Sequence, residues 1–117
     1  SITFMTAHDA KGSAEHDWRH LVRSGQALAI YMGRTSAPFL QGRLLMAGAD
    51  SNLVVTCIEN ISRPSERHFV STLANFAQQL KEEQWGGPLI ILVGIGKTAA
   101  RISVSPSDLR AVSDGRP

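Results

Sequence analysis

The chain has one cysteine, Cys57, among 117 residues, so no intramolecular disulfide can form and the fold must stand without that staple. Such cysteine usage fits a reducing, cytoplasmic setting. Aromatic residues are only 6% of the chain and charged residues 19%, with twelve Lys and Arg against ten Asp and Glu for a net charge of +2. The basic residues are scattered from Lys11 to Arg116 rather than gathered into a stripe interleaved with aromatics, so there is no electrostatic footprint for nucleic acid. Apolar runs such as Leu89 to Val93 are far too short to cross a membrane, and no charged-then-apolar leader opens the sequence, so a soluble protein is expected. A start at Ser1 rather than Met fits either removal of the initiator or a piece of a longer chain.

What is present is the composition of one packed domain: 43% hydrophobic residues in a length too small for two normal cores. Ile2 to Thr6 is short, β-branched and aromatic, and reads as a strand followed by an open loop from Ala7 to Glu15. Asp17 is placed to cap a short helix carrying Trp18, Leu21 and Val22. Ala27 to Met32 reads as a buried strand, and Ser36 as the cap of a helix over 37–47 with Pro38 in its first turn. Further strands are expected at 53–58 and, briefly, at His68 to Val70, with a polar loop from Glu59 to Glu66 between them. Thr72 is placed to cap a helix over 72–83 with an apolar stripe of Leu73, Phe76, Ala77 and Leu80. Leu89 to Val93 closes the series as a fully buried strand. Continuous apolar strands alternating with amphipathic helices predict an α/β three-layer sandwich with a largely parallel or mixed sheet. Residues 99–117 read as a loosely ordered tail after a domain spanning 1–98.

Catalytic motifs are incomplete. Gly94-Ile95-Gly96-Lys97-Thr98 ends like a phosphate-binding loop, but the glycine required five positions before Gly96 is Ile91, inside a strand. The same stretch reads G-x-G-x-x-A through Ala99, yet the helix, second strand and acidic residue of a dinucleotide site do not follow, Asp114 lying in a Gly/Pro tail. A strand ending in a glycine turn explains it. His16 and His20 have the spacing of zinc ligands on a helix, but further ligands would have to come from elsewhere, with His8 and His68 the remaining histidines. Cys57 sits within an apolar strand, where a thiol behaves as a small hydrophobe, and there is no serine elbow. Glu59 to Arg67 crowds charge at the end of a buried strand, where open α/β sheets bind ligands, although composition alone favours a solvated connection.

Three segments resemble one known family. Phe4-Met5-Thr6-Ala7-His8 is similar to a "vTGH" strand end, Ala29-Ile30-Tyr31-Met32-Gly33 to "viYMG", and Ile58-Glu59-Asn60 with Arg63-Pro64 and Arg67 to "vENGTrpdQR". All belong to the tetrapyrrole methylases, and within them to the C-terminal half of the uroporphyrinogen-III C-methyltransferases. Their order and spacers agree, with Ser71-Thr72-Leu73 where the family has "GTL" and Leu89 to Gly94 resembling the closing "liivG". The resemblance implies part of an enzyme that moves methyl groups from S-adenosyl-L-methionine to uroporphyrinogen III, making precorrin-2 for sirohaem and cobalamin. It also implies a homodimer, and a cofactor folded between two halves of the enzyme that touches Met32 and the position of Ile61. Ile61 stands where the family has glycine, and Ala7 replaces the glycine of "TGH". The family's N-terminal half, with its glycine-rich loops and proposed acid and base, is missing, so no catalytic residue is assigned and this piece alone is expected to be inactive. The alternative is a non-catalytic binding or assembly module that keeps the fold without methyl transfer.

Overall fold

The computed structural model describes residues 2–12 and 15–94, which form five strands and four helices. The elements are β1 (Ile2–Thr6), α1 (Ala7–Gly12), α2 (Glu15–Arg23), β2 (Ala27–Met32), α3 (Ala37–Met46), β3 (Val54–Glu59), β4 (Arg67–Thr72), α4 (Phe76–Glu83) and β5 (Leu89–Val93), with a 3-10 turn at Arg34–Ser36 before α3. The glycine stretch beyond Gly94 and the tail from residue 99 lie outside the described residues, as does Asp114.

The sheet has the order β1-β2-β5-β3-β4 and is mixed. Only β1 and β2 run parallel; β2 with β5, β5 with β3, and β3 with β4 are all antiparallel. Of the two expected arrangements the sheet is the mixed one, because the seven-residue link from β3 to β4 returns the chain as a hairpin and β5 inserts between β2 and β3 in the opposite sense.

Strand alternation sorts the core. Leu28, Ile30 and Met32 of β2, Leu89, Ile91 and Val93 of β5, and Val55 and Cys57 of β3 point to one face. All four helices contribute to that same core, through Ala10, Trp18 packed edge-on to Phe39, Leu40, Leu44, Phe76 and Leu80. The other face carries Ala29, Ile90 and Leu92 with Ala27, Tyr31, Ile58 and Ile61 packed against them. The continuous apolar run of β5, buried at all five positions, reflects its central place in the sheet.

Three local expectations fail for identifiable reasons. The loop after β1 is a helix, because Thr6 and Asp9 form a reciprocal capping box: the Asp9 N–H donates to Thr6 Oγ1 at 3.2 Å and the Thr6 N–H to Asp9 Oδ2 at 3.3 Å. Ser36 does not cap α3 with its side chain; the 3-10 turn comes first, and the Ser36 N–H donates to Gly33 O. Thr72 starts no helix, since it pairs with Val54 at the end of β4. Leu73 and Ala74 then donate to the carbonyls of Leu53 and Ser51, and α4 begins only at Phe76. Gln41 of α3 holds that turn, donating from Nε2 to Leu73 O and Ala74 O at 2.8 and 2.9 Å.

Candidate functional site

The carboxyl ends of β1, β2 and β3 and the starts of β4 and β5 lie along one edge of the sheet. Across that edge the register sets Met32 opposite Leu89, Leu89 opposite Glu59, and Glu59 opposite Arg67. Segments far apart in sequence therefore meet, and each of the three resembling motifs ends at this edge.

Glu59 is the unexpected member. It was expected to open a solvated loop, but it is the last residue of β3 and only 2% exposed. One carboxylate oxygen, Oε1, accepts from Arg67 Nε at 2.9 Å and Arg67 Nη2 at 2.6 Å, while Oε2 accepts from the Gly87 N–H at 2.8 Å. Burial pushes the carboxyl's pKa up, but the Gly87 amide, the Arg67 guanidinium and the Gly86 amide outweigh it and hold the pKa below the usual carboxylate value. The guanidinium in turn stacks over Trp85 at 5.0 Å, and Trp85 packs against Phe69.

The loop after Glu59 is tightly folded. Asn60 and Ser62 have left-handed φ of 54° and 66°, and Ile61 between them does not. The Ile61 backbone thus makes no demand for a glycine, and its side chain packs against the Ala29, Ile90 and Leu92 cluster on the face away from the helices. The Asn60 N–H donates to Pro88 O, the Arg63 N–H to Asn60 O at 3.0 Å, and the Ser62 N–H to Glu66 Oε1 at 2.8 Å. Gly87 passes so close that a Cβ added there would come within 2.9 Å of Asn60 Cγ.

Met32 is 4% exposed and belongs to the helix-side core. Met32 and Ile61 therefore share the edge but not the face. Gly33, which follows Met32, has extended backbone with φ −85° and ψ 159°, and a Cβ there would meet nothing within 4 Å, so its backbone is open to approach. On the helix side of this edge lies an open groove of about 690 Å³ between the start of α3 and the length of α4, lined among others by Arg34, Gln41, Gln78 and Lys81.

Other candidates dissolve. His16 and His20 both fall on α2, but among the described residues no group of three His, Cys, Asp or Glu is placed to hold a metal. Cys57 is fully buried and burial pushes its pKa up to about 12, which suits an inert packing residue. No described helix is long and apolar enough to cross a membrane.

The fold is that of the tetrapyrrole methyltransferases. A cobalt precorrin-4 methyltransferase superposes on 80% of this chain with a TM-score of 0.69 at 15% identity, using 40% of its own length. A uroporphyrin-III C-methyl transferase from Thermus thermophilus, solved with S-adenosyl homocysteine, covers 87% of the chain with a TM-score of 0.59 at 24% identity, using 43% of its length.

In sequence, the chain is similar to siroheme synthases. It is 34% identical over 94 residues to those of Pseudoalteromonas translucida and Azotobacter vinelandii, an alignment taking in 80% of this chain. The chain spans about a fifth of the length of these relatives. No protein-family model matches it.

Proposed function

We propose that this chain is the C-terminal subdomain, residues 1–98, of an S-adenosyl-L-methionine-dependent uroporphyrinogen-III C-methyltransferase, the activity that makes precorrin-2 for sirohaem and cobalamin. The observation that carries the reading is convergence: the segments ending in His8, Gly33 and Asn60 are brought to one sheet edge by a register that aligns Met32, Leu89 and Glu59. Likeness to siroheme synthases and to a uroporphyrin-III C-methyl transferase solved with S-adenosyl homocysteine supports it.

The donor set fits a nucleoside sulfonium. Met32 is packed in the helix-side core just below the edge, so its part is to fix the end of β2, while the open backbone at Gly33 and the turn at Ile61 supply amide and carbonyl groups. When bound, S-adenosyl-L-methionine supplies the methyl group. The chain's own part is to hold and orient, since methyl transfer from a sulfonium depends on in-line positioning and exclusion of water. A tetrapyrrole substrate, an N-terminal half carrying the acid and base, a homodimeric assembly and a cytoplasmic location complete the proposal.

The test is transfer of labelled methyl from S-adenosyl-L-methionine to uroporphyrinogen III. A parent protein containing this subdomain should label the tetrapyrrole, and the 117-residue chain alone should not. Absence of labelling by the parent would favour a non-catalytic binding or assembly module. Turnover by the isolated chain would refute the division of labour between halves.

A further inference from the structure

We propose that Glu59 is a positioning residue: its carboxylate, clipped between the Arg67 side chain and the Gly87 amide, sets the Asn60–Ser62 turn that presents backbone to the cofactor. The inference rests on the cofactor reading of this edge, and it adds a residue that touches no ligand itself.

Glu59 ties together three elements at this end of the sheet. It ends β3, its Oε1 takes two donors from the first residue of β4, and its Oε2 takes the amide of Gly87, in the lead-in to β5. The Gly87 amide position matters because that glycine runs against the Asn60 side chain, which a Cβ there would have to push aside. Asn60 is thus gripped from both sides, by the β3 end that Glu59 anchors and by the strand lead-in that Glu59 holds. The two left-handed residues follow directly, and a turn with φ of 54° and 66° at non-glycine positions persists only where its surroundings over-determine it.

Energetics argue for geometry rather than stability as the purpose. A carboxylate only 2% exposed carries a desolvation penalty, and an ion pair that buries one is often no more stabilising than apolar residues of similar volume. The best-attested use of such a pair is to fix one register among alternatives. Here the two partners are asymmetric: Arg67 is 55% exposed and stacked on Trp85, so it would remain solvated and held without Glu59, whereas the Glu59 carboxylate is 3% exposed and takes its hydrogen bonds from Arg67 and the Gly87 amide.

An amide cannot replace the carboxylate. With its oxygen toward Arg67, a glutamine would aim its NH2 at the Gly87 N–H; with its oxygen toward Gly87, it would aim the NH2 at the guanidinium. Glu59→Gln therefore releases one side of the clip while keeping shape. Arg67→Lys keeps the charge, but a single ammonium cannot reproduce the paired Nε and Nη2 contacts, so it should fall between wild type and Glu59→Gln.

The experiment uses the parent protein with both variants and two readouts: amide hydrogen exchange, and calorimetric binding of S-adenosylhomocysteine. The expected result in Glu59→Gln is exchange accelerated about tenfold or more at residues 60–63 and at Gly86 and Gly87 with the central β2 and β5 amides unchanged, together with binding weakened about tenfold, since small misplacements of a holding group are costly. Arg67→Lys should show a smaller change of the same pattern, which keeps the test decisive if Glu59→Gln does not fold. Unchanged exchange at 60–63, or exchange raised evenly through the whole sheet, overturns the positioning role. So does full affinity despite a loosened turn. If the wild-type parent binds no S-adenosylhomocysteine, the cofactor reading fails instead, and the exchange pattern alone decides whether Glu59 sets the turn.

Discussion

The two ends of the sheet solve the same problem, chain reversal, with different residues. At the end where β2 and β3 begin, the left-handed positions are all glycine: Gly25, Gly48 and Gly94 at φ 68°, 95° and 80°. There the connections adopt αL at no side-chain cost, and the cavity they surround is small and largely apolar, about 130 Å³ lined by Leu21, Leu28, Leu44 and Val93 among others. At the opposite end the left-handed residues described are Asn60, Ser62 and Gln84, and a buried carboxylate is locked to an arginine and an amide. Strain and buried charge are retained at one end only. Both are costs that a purely structural connection would shed, which is why this end, and not the glycine end, is read as the site.

The comparison breaks most severely at the charge pair. Arg67→Met removes both guanidinium donors from Glu59 and should destabilise the protein by about 2 kcal/mol in urea denaturation, more than any single exposed substitution at the glycine end. The pair also gives the protein an acid limit of known sign. Because the folded-state pKa of Glu59 is lowered, its contribution is present above the ordinary carboxylate value of 4.5 and is lost as pH falls through the lowered folded value. Stability curves should therefore fall more steeply below pH 4.5 in wild type than in Glu59→Gln.

Glycine substitutions sharpen it next. Gly48→Ala and Gly87→Ala should each cost about 1–2 kcal/mol, the first through a forbidden φ of 95° in open space and the second through collision with Asn60. Only Gly87→Ala should also weaken S-adenosylhomocysteine binding in the parent. Gly86→Ala, with open space and no positive φ, should stay within about 0.5 kcal/mol of wild type. The smallest effect has the opposite sign: Gln84→Gly relieves a left-handed residue at φ 56° and should stabilise by about 0.5 kcal/mol after the entropy of the added glycine, as thermal unfolding would show.

The glycine end was readable from the sequence because its devices are local. Gly25 and Gly48 stop helices wherever they occur, and the apolar runs 27–32 and 89–93 became β2 and β5 as expected. Failures fell where a distant partner decides. Thr72 looks like a helix cap on its own, but pairing with Val54 keeps it in a strand. Glu59 looks solvated in a stretch rich in charge, and only the fold brings Arg67 and Gly87 to it from eight and twenty-eight residues away. The helix after β1 is different: the Thr6-x-x-Asp9 capping box was present in the sequence and was outweighed by the polar, glycine-containing stretch that follows. Met32 and Ile61 were proposed through family resemblance alone, and neither composition nor periodicity distinguishes them from ordinary apolar residues.

The most direct test of the account is amide hydrogen exchange of the parent with and without S-adenosylhomocysteine. Protection should appear at residues 32–36, 60–63, 65–66 and 86–87, the strained and charged end, with no change at 24–27 and 47–53. Protection confined to the glycine end, or none at either end under saturating ligand, would contradict it.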